Sequence, residues 1–183
     1  MKKILICLLF LSIISFFMST TTAYTAGNDR WEVKPVQVTY PSDWGTAVYK
    51  AMTTWNNAGA NFTFANKTNI NHVTVSKYTY DRDPRLAWES GTHSQYNSTT
   101  GKLIKISSSI QVNTCNKQWS TANPTPSNVY SVERVVLHEL GHSLCLGHND
   151  GNSATIMYST IGTGPQNCSL HSDDRNGIRY MYG

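Results

Sequence analysis

Residues 138 to 148 read His138-Glu139-Leu140-Gly141-His142-Ser143-Leu144-Cys145-Leu146-Gly147-His148. On an α-helix, residues four apart share one face, with Cβ atoms about 5–6 Å from each other. His138 and His142 can therefore aim ring nitrogens at one ion, at the roughly 2.0–2.1 Å that zinc prefers for imidazole. Glu139 stands about 100° further round the helix. That is beside such an ion and outside its ligand set, where a carboxylate can act as base toward an attacking water. The helix must then stop, so that His148 returns from a turn as the third ligand. Gly147 is the residue expected to make that turn, because glycine takes positive φ without steric cost. Three imidazoles with no evident fourth protein ligand describe an open, catalytic zinc site rather than a closed structural one. Asp150, the nearest other ligand type, is expected to cap a turn.

The flanking residues put this helix in the interior. Ser131 is a good N-cap, and Glu133 in the first turn suits the positive end of the helix dipole. Val132, Val135, Val136, Leu140 and Leu144 make it apolar on most sides, as a buried helix must be. Upstream, Val36, Val38 and Tyr40 alternate with Gln37 and Thr39, a strand closed by Pro41. Ser42 or Asp43 caps a helix whose apolar stripe is Trp44, Ala47, Val48, Ala51, Met52 and Trp55. Phe62 and Phe64 mark a second strand, and residues 70–78, with Val73 and Val75, a third. A strand, a helix and a further strand imply parallel pairing. Residues 81–85 form a charged loop and 86–97 a polar edge strand. Ile104, Ile106, Ile110 and Val112 belong to another strand. Residues 113–130, with Pro124 and Pro126, read as loop. Ser172, Asp173 and Asp174 cap a last helix carrying Ile178, Met181 and Tyr182.

The start of the 183-residue chain has a different character. Lys2 and Lys3 precede an apolar run from Ile4 to Met18, and Thr21-Thr22-Ala23 offers a small-residue cleavage site, the pattern of a secretory signal over residues 1–23. The run is shorter than the ~20 residues a spanning helix needs, so no stable membrane anchor is expected. Residues 24–183 are enough for one domain with a real core. Without Lys2 and Lys3 the 15 basic residues become 13 against 11 acids, a net charge near +2. That is no electrostatic footprint for nucleic acid. Cys115, Cys145 and Cys168 remain, and an oxidising compartment favours one disulfide among them. Three pairings are open, and the preferred one is Cys115 with Cys168, since Cys145 ends the histidine-bearing helix and is expected to be buried.

The spacing His138, Glu139, His142, His148 resembles the metzincin pattern H-E-x-x-H-x-x-G-x-x-H, which a turn containing Met follows. Met157 stands nine residues after His148. The ending Asp173-Asp174-x-x-Gly177-Ile178-x-x-x-Tyr182-Gly183 is similar to the last helix of the matrixin branch, as is the opening strand and the helix with Ala51 and Trp55. The resemblance implies a zincin-like α+β catalytic domain. Its features are a twisted five-stranded, mostly parallel sheet with one antiparallel edge strand, three helices, and a cleft across the zinc. It also implies one catalytic Zn2+ above Met157 and a secreted, monomeric endopeptidase acting on proteins or peptides. The substrate would lie extended beside residues 86–97, with residues 159–168 as one wall of a side-chain pocket. The alternative is a non-catalytic binding or inhibitor protein on the same scaffold, against which the retained Glu139 counts. Three departures stand out. Cys145 occupies the pattern's Gly position. His72-Val73-Thr74 does not reproduce the branch's His-x-Asp loop, so no structural zinc is expected and bound calcium is doubtful. Between Ala23 and Trp31 there is no Cys to hold the zinc, so latency by a cysteine pro-segment is not expected.

Overall fold

The computed structural model describes residues 24–67 and 70–183. The expected leader over residues 1–23 lies outside the described residues. Eight strands and three α-helices follow in the order β1 (Asp29–Arg30), β2 (Val36–Thr39), α1 (Gly45–Asn56), β3 (Phe64–Asn66), β4 (Val73–Tyr78), β5 (Ala87–Asn97), β6 (Lys102–Asn113), β7 (Trp119–Ser120), β8 (Tyr130–Ser131), α2 (Val132–Ser143) and α3 (Ser172–Tyr182).

Five of the strands form the main sheet in the order β3-β2-β4-β6-β5. The first three pairings are parallel and β5 runs antiparallel to β6. This is the α+β architecture expected from the sequence, with the antiparallel strand at the edge. Two short features escaped the sequence reading. The two-residue β1 pairs with the start of β6, and β7 pairs with β8 inside the stretch read as loop. Two residues are too few for alternation to register.

Alternation accounts for the sheet's buried face. Val36 and Val38, Val73 and Val75, and Ile110 and Val112 are buried at every second position and join one core with α1 and α2. The two helices are also tied by a polar contact, since Trp55 Nε1 donates to the Leu137 carbonyl at 2.8 Å. Both Trp of the first helical stripe are core, as expected. Among the described residues no strand pairs with the outer edge of β5, so its backbone groups face the cleft or solvent.

Three local expectations need correction. Neither Ser42 nor Asp43 caps α1: both lie in a short 3-10 turn before it, and the residue at its N-cap is Trp44, with no side-chain cap hydrogen bond. The N-cap of α3 is His171, whose side chain accepts from the Asp173 N–H, while Asp174 reaches back to the His171 N–H in a reciprocal capping box. Cys115, Cys145 and Cys168 are all free thiols, and the anticipated Cys115–Cys168 bond is not formed. Cys168 is turned toward Glu133 at the start of α2. Cys115 follows the end of β6, where Asn113 Oδ1 accepts its N–H at 2.9 Å.

Candidate metal centre and active site

The site is built on α2. Ser131 caps it as expected, its hydroxyl accepting the Arg134 N–H at 3.2 Å. Nearly every residue of this helix is buried, which holds its side chains in place. His138 and His142, one turn apart, each present Nδ1 to a backbone carbonyl: Ile156 O at 2.8 Å and Leu146 O at 2.7 Å. A ring that donates from Nδ1 keeps its lone pair on Nε2. The Nε2 of His142 lies 3.1 Å from that of His138 and 3.2 Å from that of His148. Nitrogens held at ~2.0–2.1 Å from one tetrahedral zinc would be about 3.3–3.4 Å apart. Three imidazole nitrogens converging at this spacing, two of them on rings anchored so that a lone pair points inward, fit a zinc ion. Among the described residues this is the group of three that could hold a metal. Burial, reinforced by His142, pushes His138 down to about 3, and burial also lowers His142. Both shifts favour the neutral imidazole, the form that ligates.

Glu139 is 5% exposed, and its Oε2 is buried with no hydrogen-bond partner. Burial pushes its carboxyl up to about 8, with nearby Glu89 adding and Arg85 opposing. An unsatisfied buried carboxylate is costly, and sites of function are where such costs persist. The cleft over these groups holds about 570 Å³. Arg85 to Glu89, which lead into β5 and form its start, make one wall. Ser159 and Ile161 contribute another, and Thr25 to Gly27 close one end.

The end of α2 differs from the sequence expectation. The left-handed residue is Cys145, at φ +69°, and Gly147 is not among the positive-φ positions. Cys145 therefore keeps the backbone conformation for which the motif's glycine is suited. Gly147 answers a different demand: a Cβ there would lie 2.9 Å from Thr25 Cβ. Its N–H donates to Thr25 O and Gly27 N–H donates to Cys145 O, each at 2.7 Å. The N-terminal segment thus lies against the turn that delivers His148. A non-glycine residue in this region costs on the order of 1–2 kcal/mol, which offsets the burial gained by the thiol. Cys145→Gly is accordingly expected to leave stability within about 1 kcal/mol of the parent. Cys145→Val, β-branched at positive φ, should cost about 2 kcal/mol or more. Thermal unfolding checks both, and a Val variant as stable as the Gly variant would refute the strain account.

Met157 packs against the helix where it has no side chain. A Cβ on Gly141 would fall 2.3 Å from Met157 Sδ, one residue before His142. Asp150 plays the expected capping part, its Oδ1 accepting the Ser159 N–H at 3.1 Å. Asp174 does more than the sequence indicated. Its carboxylate accepts the N–H groups of Ile156 at 2.9 Å and His171 at 2.9 Å through Oδ2, and of Met157 at 3.2 Å through Oδ1. The doubled acid at 173–174 was its only sequence signal. His72 stands just before β4, where its Nδ1 accepts the Gln37 N–H. His93 instead pairs with Asp29 at 2.7 Å.

A family model described as Matrixin, a peptidase family, matches residues 23–183. The chain is 48% identical over 52 residues to Metalloendoproteinase 2-MMP of Arabidopsis thaliana, 28% of this chain and 14% of that protein. It is 53% identical over 47 residues to human Matrilysin, 25% of this chain and 17% of that one. With Metalloendoproteinase 1 of Glycine max the identity is 41% over 63 residues, 34% of this chain and 20% of the relative. The matched stretches thus span at most a fifth of these relatives' lengths, whereas the family model covers the whole described domain. On that match, and with the sheet and helices described above, the chain belongs to the matrixin family.

Proposed function

We propose that the chain is a secreted zinc-dependent endopeptidase in which His138, His142 and His148 hold the metal and Glu139 is the general base. The observation that carries this reading is the meeting of three Nε2 atoms, two of them on rings anchored through Nδ1, beside a buried carboxylate oxygen that has no partner. Zinc, when bound, supplies a Lewis acid that polarises the scissile carbonyl and lowers the pKa of water. Glu139 takes the proton of the attacking water on Oε2 and returns it to the leaving amine. Met157 and Gly141 hold the helix floor, so that the two helical imidazoles keep their spacing. The free edge of β5 offers main-chain donors and acceptors to an extended substrate, which would add as a further strand. Val135, Ser159 and Ile161 line the same cleft and support a side-chain pocket there.

Secretion rests on the basic and apolar leader with its small-residue end. No described helix is long and apolar enough to cross a membrane. The single catalytic domain is read as a monomer acting on protein or peptide substrates, with one catalytic zinc.

The direct test is hydrolysis of casein by the chain lacking its leader, with and without a chelator. Cleavage is expected to fall to background on metal removal and to return with one equivalent of zinc. His148→Ala should show the same loss without return. A rate unchanged by complete metal removal would overturn the reading.

A further inference from the structure

Behind the histidine cluster, on the far side of the turn that ends α2, lies a charged side chain that the peptidase chemistry leaves unused. Lys105, near the start of β6, is 3% exposed. Its ammonium is 2.8 Å from Glu89 Oε1 on β5 and 3.7 Å from Asp29 Oδ2 on β1. It also donates to the carbonyls of Ser143 at 3.2 Å and His142 at 3.4 Å, and lies 3.8 Å from Cys145 Sγ. One cation thus ties together the edge strand of the cleft, the N-terminal strand, and the last carbonyls of the metal-bearing helix.

The surroundings are shaped to admit it. Residue 91 is glycine, and a Cβ there would fall 2.4 Å from Lys105 Cε. The β5–β6 register shifts on both sides of His93, the residue opposite Lys105. Glu89 is held by a second donor, Ser108 Oγ at 2.6 Å. A buried ammonium is costly unless paired and hydrogen-bonded, and this one is met from three segments. Two of its acceptors are carbonyls at the helix C-terminus, where the macrodipole favours a cation.

We infer that Lys105 is a positioning residue for the metal centre, setting where the end of α2 and the Cys145 turn stand relative to the β5 wall. The link to the metal ligands is short. The His142 carbonyl belongs to the second ligand, and the strained turn at Cys145 carries the chain to the third. Without the ammonium, two carboxylates and two helix-end carbonyls would face one another, and the turn would spread. The distance between His148 and the helical pair would then loosen. This inference rests on the zinc-binding part of the proposed function, because the three histidines must hold a metal for their spacing to matter.

The test uses Lys105→Met, which keeps the length of the stem and removes the charge, and the double variant Lys105→Met/Glu89→Gln, which also removes the carboxylate left unpaired. Zinc affinity is measured by chelator competition on folded protein well below the unfolding temperature, and kcat and KM on a peptide. Outer-shell partners of metal ligands typically contribute about 10–100-fold to affinity or activity. We expect a zinc Kd weaker by about that factor and a matching fall in kcat in both variants, with KM changed less than about threefold. The double variant should recover thermal stability and not zinc affinity, which separates positioning from mere packing. If the double variant is folded and binds zinc as tightly as the parent, the inference fails while the peptidase reading stands. A parent chain that binds no zinc overturns both. A parent that binds zinc and cleaves nothing refutes only the peptidase reading, since the affinity comparison still decides the part of Lys105.

Discussion

Glu139→Ala is expected to lower kcat by about 10²–10⁴-fold, the usual contribution of a positioned general base, while one zinc per chain stays bound. The two halves of this result come from different atoms. In the proposed site, metal affinity resides in the three Nε2 atoms, which converge without Glu139; the Ile156 and Leu146 carbonyls orient those of His138 and His142. Proton transfer, in the proposed mechanism, resides in the Glu139 carboxylate, whose Oε2 has no other partner to release before it accepts a proton. The isosteric Glu139→Gln should be as inactive as the Ala variant, because an amide fills the same space and cannot act as the base. The metal-free chain gives a second readout. Burying this carboxylate is unfavourable, as its upward shift to about 8 indicates, so neutral Gln should leave the unfolding temperature equal or higher. A gain in stability with a loss of catalysis is the signature of a group kept for chemistry. Hydrolysis by Glu139→Gln at the parent rate would discard the proposed mechanism, even with the zinc in place.

Local and tertiary information part company at identifiable residues. The helix bearing His138 and His142 was legible because its cap, its apolar positions and its ligand spacing all sit within about a dozen residues and follow one period. The sheet was legible for the same reason in Val36 and Val38, Val73 and Val75, and Ile110 and Val112. The turn after α2 was not. That the helix must stop before His148 follows from the spacing, but which residue takes the left-handed conformation depends on what packs against the turn. The segment from Thr25 to Gly27 fills the space where a side chain at 147 would go, and the positive φ falls on Cys145. The thiols failed for a related reason: pairing depends on distances between distant segments, and Cys168 is directed at Glu133. Lys105 lies between Ile104 and Ile106, where alternation gives a polar residue to the outer face. Its burial becomes visible only once Glu89, Asp29 and the end of α2 are brought together.

Asp174→Ala is expected to be the most destabilising single change in the C-terminal helix and to weaken the metal site from a distance. Asp174 is 2% exposed, and truncation would leave the N–H groups of Ile156, Met157 and His171 without their acceptor. Each buried polar group left unsatisfied costs about 1–3 kcal/mol, so a loss of about 3 kcal/mol or more is expected even if the three do not add. The reach to the metal passes through one residue. Ile156 gives its N–H to Asp174 and its carbonyl to Nδ1 of His138, so release of that peptide unit frees the ring of the first proposed ligand. The next residue, Met157, is the side chain against Gly141. Zinc affinity should therefore fall by about 10–100-fold, as for other partners of ligating histidines. Asp174→Asn retains one acceptor oxygen but turns an amide toward N–H donors, and should lie between parent and Ala in both measurements. Unfolding temperature and chelator competition, recorded on the same samples, decide the matter. If Asp174→Ala loses stability yet holds zinc as tightly as the parent, then the last helix supports the fold alone, and His138 is oriented without it.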